Sequence, residues 1–393
     1  MLPAMVLRGL GLLALLAMLL LLSMGTTFSA AAEAFEQLYT GGGDIQPRLS
    51  LPADAAVLVT GGAGFVGYHL CLRLQRLGVR VVALDNFDPY YSIALKRARQ
   101  QRLKDAGIDV VEGDMCDEAM LTTLLSHHRF SHVASMAAQA GVRYSIARPH
   151  AYVRANVQCF LSLLEALRRD PSVHLVYASS SSVYGANTKT PFAEHDSTDL
   201  PNSLYAATKK ANEQLAHVYH GLYGIRVTGL RFFTVYGPWG RPDMAYFSFA
   251  HRIATGQPIA VYGHGAPQRD FTYIDDIVDG IVGALALGAE EEIFNLGNHR
   301  TETLGRFISV LESELGIKAN RTMVGMSPGD VLSTYADVRH AAARIGYAPR
   351  TSIDNGLKKF IAWYRSTDFK AEYAEQGEWL RAMAPAGGRP GAT

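Results

Sequence analysis

The chain has 393 residues, 48% of them hydrophobic, a formal net charge of +1 and three cysteines. That length exceeds one ordinary domain and that composition can bury a sizeable core, as a globular enzyme requires. A charge so near zero, with no long basic block, excludes the electrostatic footprint of a nucleic-acid binder. Cys71, Cys116 and Cys159 are scattered without a CxxC spacing. Neither a disulfide framework nor structural zinc is expected, and the thiols read as small buried hydrophobes.

Residues 9–25 read GLGLLALLAMLLLLSMG, and no charge occurs between Arg8 and Glu33. An apolar helix of about 17 to 25 residues can cross a bilayer, so residues 1–32 are expected to anchor the chain in lipid. The small residues Ser29, Ala30, Ala31 and Ala32 keep a cleavable signal peptide open as the alternative. With Arg8 held on the cytosolic side, the remainder of the chain faces away from the cytosol. Residues 33–54, with Gly41, Gly42, Gly43 and Pro52, read as a stem. Residues 367–393 read as a loose tail.

Between stem and tail, strand and helix signals alternate. A buried strand at 56–60, a helix at 65–77 and a strand at 79–84 make a βαβ unit. Further strands are expected at 108–112, 132–135, 173–178 and 225–231, with helices between them. The fold class is therefore α/β, a Rossmann-type doubly wound parallel sheet over 55–233 with ligand at the carboxyl ends of its strands. From Thr234 the rhythm shortens and Gly, Pro and aromatic residues accumulate, so 234–366 is expected to be mainly a smaller α/β substrate-binding region.

The first strand-to-helix junction carries Gly61, Gly64 and Gly67, where backbone N–H groups and the positive end of a helix can approach a pyrophosphate. Asp85 ends the next strand at the position where a carboxylate can hold both ribose hydroxyls, which favours NAD over NADP. Asp114, with Met115, follows the third strand and is a candidate adenine contact. Tyr205 and Lys209 lie four apart on an expected helix and share one face. A free phenol titrates near 10. A neighbouring ammonium and a positive nicotinamide ring favour the phenolate and make Tyr205 a candidate base. Upstream, the serines at 179–182 follow a strand, and one of them can share the substrate's proton with Tyr205.

Together TGGAGFVG at 60–67, Asp85, SSSSVYG at 179–185 and YAATK at 205–209 resemble the extended short-chain dehydrogenase/reductases that act on nucleotide sugars. Three longer strings, AQAGVRYS at 138–145, RFFTVYGPWGRPDMA at 231–245 and QRDFTYIDD at 268–276, resemble UDP-glucuronate 4-epimerases, and the apolar leader resembles that of their plant-type, Golgi-resident members. The resemblance implies a tightly held NAD and interconversion of UDP-glucuronate and UDP-galacturonate through a 4-keto sugar, with Tyr205, Lys209 and Ser180 catalytic. It implies cofactor contacts at Phe65, Val66, Asn86, Met115, Ala137, Ala138, Gln139, Asn156 and Phe232. It implies that Arg269 grips the UDP diphosphate and that Asp330 lies near the uridine ribose. Relatives carry a long polar residue before PGD, whereas this chain has Met326 and Ser327.

In related dehydratases an acidic pair follows the catalytic Ser/Thr; here those positions are Ser181 and Ser182, which disfavours elimination of water. A 4-keto glucuronate is a β-keto acid that can lose CO₂. Ser181, Ser182 and Thr234 are therefore candidates to hold the carboxylate by hydrogen bonds, and Arg143 or Arg241 to neutralise it. A UDP-glucose or UDP-N-acetylglucosamine 4-epimerase would share every cofactor residue, and a non-catalytic NAD-binding membrane protein is the other class left standing. Relatives imply a homodimer through the helix carrying Tyr205 and its neighbour. His128 and His132 form an HxxxH at a loop-to-strand junction without a third ligand nearby in sequence, and no metal is expected.

Overall fold

Seven parallel strands form the principal sheet of the computed structural model, which describes residues 50–325 and 332–366. The strands are β1 (Ala56–Thr60), β2 (Arg80–Asp85), β3 (Asp109–Glu112), β4 (His132–Ser135), β5 (His174–Ser180), β6 (Val227–Phe232) and, after four shorter ones, β11 (Glu291–Leu296). Their order is β11-β6-β5-β4-β1-β2-β3. The order reverses beside β1, and a doubly wound sheet binds its ligand at that point, outside the carboxyl ends of the strands.

Buried on both faces, β1 reads as an unbroken apolar run. Val57 and Val59 join the apolar cluster that also takes in the helices Phe65–Arg76, Ile274–Leu287 and Ile353–Tyr364. Ala56 and Leu58 join the opposite cluster, with Glu118–His128 and Cys159–Leu167. The period of two sends alternate side chains to opposite faces. Val57, Leu58 and Val59 are fully buried, and each contributes about 1.5–3 kcal/mol relative to exposure.

The helix Leu204–Tyr223 begins where the Ser203 side chain accepts from Ala206 N and ends at Gly224, whose φ of +71° suits a residue without Cβ. In the remaining segment, β7 (Thr234–Tyr236) pairs with β10 (Phe271–Tyr273), β8 (Ile259–Tyr262) with β13 (Arg321–Val324), and β9 (Gln268–Arg269) with β12 (Glu302–Thr303). β11 does not stay with them. It returns to the principal sheet and pairs in parallel with β6 from Glu291 opposite Val227 to Leu296 opposite Phe232.

One expectation is overturned. Cys116 and Cys159 form a disulfide, while Cys71 is free and buried. They stand 43 residues apart, and such a spacing says nothing of the contact: the loop after β3 that carries Cys116 meets the helix beginning at Cys159 only once the chain has folded. The expected anchor (1–32), most of the stem and the tail (367–393) lie outside the described residues. Among the described residues no helix is long and apolar enough to cross a membrane.

Candidate active site

A cavity of about 660 Å³ opens along the carboxyl ends of β1, β2, β4, β5 and β6. At its floor the chain turns from β1 into the helix Phe65–Arg76. Gly61 has φ +67°, and a Cβ there would lie 2.7 Å from Ala137 N; a Cβ on Gly67 would lie 2.1 Å from Gly61 O. Only bare backbone fits. The resulting cradle is lined by Gly61, Gly64, Phe65, Val66 and Gly67 at a helix N-terminus, the arrangement that receives a pyrophosphate.

Asp85, at the end of β2, is buried and accepts from Ala63 N (3.0 Å) and Phe87 N (2.8 Å). These bonds fix its carboxylate at the cavity wall beside Asn86. Asp114 and Met115 also line the cavity, and Asp114 Oδ2 accepts from Arg154 (3.0 Å). Bonds from Cys116 N and Arg154 hold the Asp114 carboxyl below its usual range against the opposing effect of burial, which is the largest single influence. Ala137, Ala138, Gln139 and Phe232 complete this side. Asn156 does not reach the cavity lining. It lies behind Gln139, with its amide donating to Gln139 O (2.9 Å) and Thr208 Oγ1 (3.0 Å) and its Oδ1 accepting from Gln139 N (2.8 Å). It supports the wall from behind, through Gln139.

Ser180, Tyr205 and Lys209 meet in the same cavity. Burial pushes the Tyr205 phenol up from its ordinary value of 10, while a hydrogen bond with Ser180 and the charge of Arg241 oppose it. Lys209 donates to Ala178 O (2.8 Å), and burial lowers it to about 8. A bound cationic ring would add charge that favours the phenolate.

Ser181, Ser182, Thr234, Arg241 and Arg269 line the other half of the cavity. The Arg241 guanidinium is already committed. It donates to Asp243 Oδ1 (3.1 Å), Asp243 Oδ2 (2.5 Å) and Ala140 O (2.9 Å), and Tyr90 donates to the same Asp243 (2.8 Å). Its charge is therefore largely offset in place by Asp243. Arg143 falls outside the lining. It is exposed on the short helix Val142–Ala147, with its guanidinium 4.5 Å from the Tyr262 ring centre. The helical turn that aims Val142 inward carries the next residue round the axis. Asp330, with Met326 and Ser327, lies outside the described residues. Of the HxxxH pair, His128 stacks on Phe130 and His132 is buried against His174.

Two cations were not anticipated. Lys96 lines the cavity, donates to Asp88 O (2.7 Å) and sits 4.6 Å over the Tyr91 ring. Arg99 is wholly buried and donates to Ala63 O (2.9 Å), Tyr91 Oη (2.7 Å), Trp239 O (2.6 Å) and Gly240 O (3.1 Å). Both belong to the helix Ile93–Asp105, whose sequence IALKRARQQRLKD has the composition of a solvated surface helix. Only the positions of Tyr91 and Leu95 before them hint at an inward face.

Residues 57–297 match the model of the NAD dependent epimerase/dehydratase family. The chain is 46% identical over 356 residues to UDP-glucuronate 4-epimerase 2 of Arabidopsis thaliana, covering 86% of this chain and 81% of that protein. It is 49% identical over 329 residues to UDP-glucuronate 4-epimerase 1 of the same plant, covering 79% and 77%. Among solved structures it resembles UDP-glucuronic acid 4-epimerase from Bacillus cereus in complex with UDP-glucuronic acid and NAD, at 33% identity and a TM-score of 0.74 over 78% of this chain and 98% of that one. UDP-glucose 4-epimerase from Thermotoga maritima with UDP-glucose is similar at 29% identity and a TM-score of 0.72, over 79% and 98%.

Proposed function

Since the chain belongs to the NAD dependent epimerase/dehydratase family, we infer that it interconverts UDP-glucuronate and UDP-galacturonate by epimerisation at C4. The observation that carries this reading is the meeting of Ser180, Tyr205 and Lys209 with the hydroxyls of Ser181, Ser182 and Thr234 in one cavity. The cradle at Gly61 and Gly67 and the carboxylate of Asp85 fit NAD, which when bound accepts and returns the hydrogen of C4 with its electron pair.

Tyr205 then takes the proton of the C4 hydroxyl, Ser180 shares it, and both return it after the 4-keto ring has turned over. Lys209 holds positive charge at the wall nearest Ala178. Ser181, Ser182 and Thr234 hold the uronate carboxylate away from the geometry in which the breaking C–C bond would align with the ketone. Arg241, neutralised by Asp243, can bond to the sugar without attracting a second anion strongly. Arg269 faces the diphosphate, and Asp330 the uridine ribose.

The apolar run at 9–25 supports a membrane anchor with the enzyme on the lumenal side of a secretory-pathway membrane, a Golgi placement included. The Cys116–Cys159 disulfide favours the same side, because disulfides persist in oxidising compartments. A homodimer is supported by exposed apolar residues on two neighbouring helical segments: Val153 and Leu161 on one, Val218 and Leu222 on the other.

The test is incubation of the purified full chain with UDP-glucuronate and no added NAD, with products resolved by NMR. UDP-galacturonate without CO₂ is expected. Epimerisation of UDP-glucose or UDP-N-acetylglucosamine in its place would leave the fold and chemistry standing and overturn the carboxylate pocket.

A further inference from the structure

Glu213 follows Tyr205 and Lys209 at intervals of four along the helix Leu204–Tyr223, so the three side chains form one stripe. The cavity uses the first two. Glu213 is buried instead against the carboxyl ends of β5 and β6, where its Oε1 accepts from Ser179 Oγ (2.7 Å) and Arg231 Nε (2.9 Å) and its Oε2 from Arg231 Nη2 (2.9 Å). Both members of the ion pair are only 3% exposed at the side chain. Arg231 Nη1 also donates to Tyr184 Oη (3.0 Å) and Glu194 O (2.9 Å), and Tyr184 Oη in turn donates to Asn295 Oδ1 (2.6 Å) on β11.

The residues gripped are next to the reacting ones. Ser179 precedes Ser180, Arg231 precedes Phe232, and the strand register sets Ser179 opposite Arg231 and Ser180 opposite Phe232. A bidentate pair with a third bond to a serine hydroxyl has one geometry at low exposure. Two buried charges are poor evidence for stability alone, since apolar replacements of the same size often serve as well.

We propose that Glu213 and Arg231 are positioning residues for the epimerisation: their ion pair ties the helix bearing Tyr205 to the end of β6, the Ser179 bond to the same carboxylate ties it to the end of β5 that bears Ser180, and together they preset the distance between the two hydroxyls. This rests on the proposed function. It names a role for a stripe position and a strand residue that touch no substrate themselves. Errors of about 1 Å in such a geometry cost around a hundredfold in rate.

The test compares three variants of the full chain with its parent. Glu213→Gln alone strands a buried guanidinium and is expected to fold poorly. The double variant Glu213→Gln with Arg231→Met removes both charges and keeps the test open, and Ser179→Ala breaks only the serine bond. The double variant is expected to keep its NAD and its thermal midpoint to within a few degrees, to hold KM within about threefold and to lose about 10- to 100-fold in kcat. Ser179→Ala is expected to show the same split at smaller amplitude. A kcat within twofold of the parent in a folded double variant would overturn the proposal. A crystal structure of the double variant gives a reading that needs no turnover: separation of Ser180 from Tyr205 is expected, and an unchanged separation would also overturn it. Absence of any epimerisation by the parent chain would instead overturn the proposed function, and the structural comparison would still decide the positioning role.

Discussion

Opening the Cys116–Cys159 disulfide is the perturbation whose size the structure sets most directly. The bond closes a loop of 43 residues. The loop-entropy relation gives about 4 kcal/mol of stabilisation for that length, acting mainly on the unfolded chain. For a folded unit of roughly 300 residues this amounts to a fall of about 6 °C in thermal midpoint. The effect should also reach the cofactor. Asp114, Met115 and Cys159 all line the cavity, and Asp114 Oδ1 accepts from Cys116 N (2.9 Å), so the bond braces the wall expected at the adenine. The assay is thermal unfolding of the full chain with and without a thiol reductant, alongside thiol counting under denaturing conditions. One free thiol is expected before reduction, Cys71, and three after it. A Cys116→Ser, Cys159→Ser double variant should unfold at the reduced protein's temperature and ignore the reductant. Three thiols before reduction, or a reductant effect that persists in the double variant, would refute the reasoning.

Tyr205→Phe should lower turnover by about 10²- to 10⁴-fold while the purified protein keeps its NAD, which absorbance and nucleotide extraction check together. Gly67→Ala should abolish retention of NAD, since the new methyl would sit 2.1 Å from Gly61 O, a backbone atom that has no side-chain rotamer to escape through; extraction of nucleotide from the purified variant is the measurement. His174 is fully buried, with Nε2 3.0 Å from Thr228 Oγ1, and burial followed by the charge of His132 lowers it to about 3. It stays neutral in the fold while an unfolded histidine protonates near 6.5. Its contribution is therefore full above pH 6.5 and lost as pH falls toward 3, reaching about 2 kcal/mol of lost stability by pH 5. Urea titrations at pH 7 and pH 5 should show that loss in the parent chain and a smaller one in His174→Gln.

Much of this was legible in the residues because the features are local. The glycines at 61, 64 and 67 need only the strand and helix on either side of them, and Tyr205 and Lys209 need only helical spacing. The strands β1 and β4 end where their apolar runs end. What escaped depends on contacts between distant segments. β11 leaves the substrate-side segment to complete the principal sheet, and no periodicity within 291–296 tells which sheet it joins. Asn156 reads as a polar group near the cofactor, and only the fold shows that its amide is bonded to the backbone of Gln139. The helix Ile93–Asp105 looks solvated because two of its cations, Lys96 and Arg99, find their acceptors on loops that the linear chain separates from it by as much as 141 residues.

Arg99 has a consequence for how the reaction proceeds. One guanidinium holds the carbonyl of Ala63, in the cradle, and those of Trp239 and Gly240, in the loop leading to Arg241. The two banks of the cavity are riveted together beneath its floor. A sugar that must present first one face and then the other to the same hydrogen acceptor cannot rely on these banks swinging apart. The half-turn then falls to torsions of the ligand's own diphosphate link rather than to a parting of these banks.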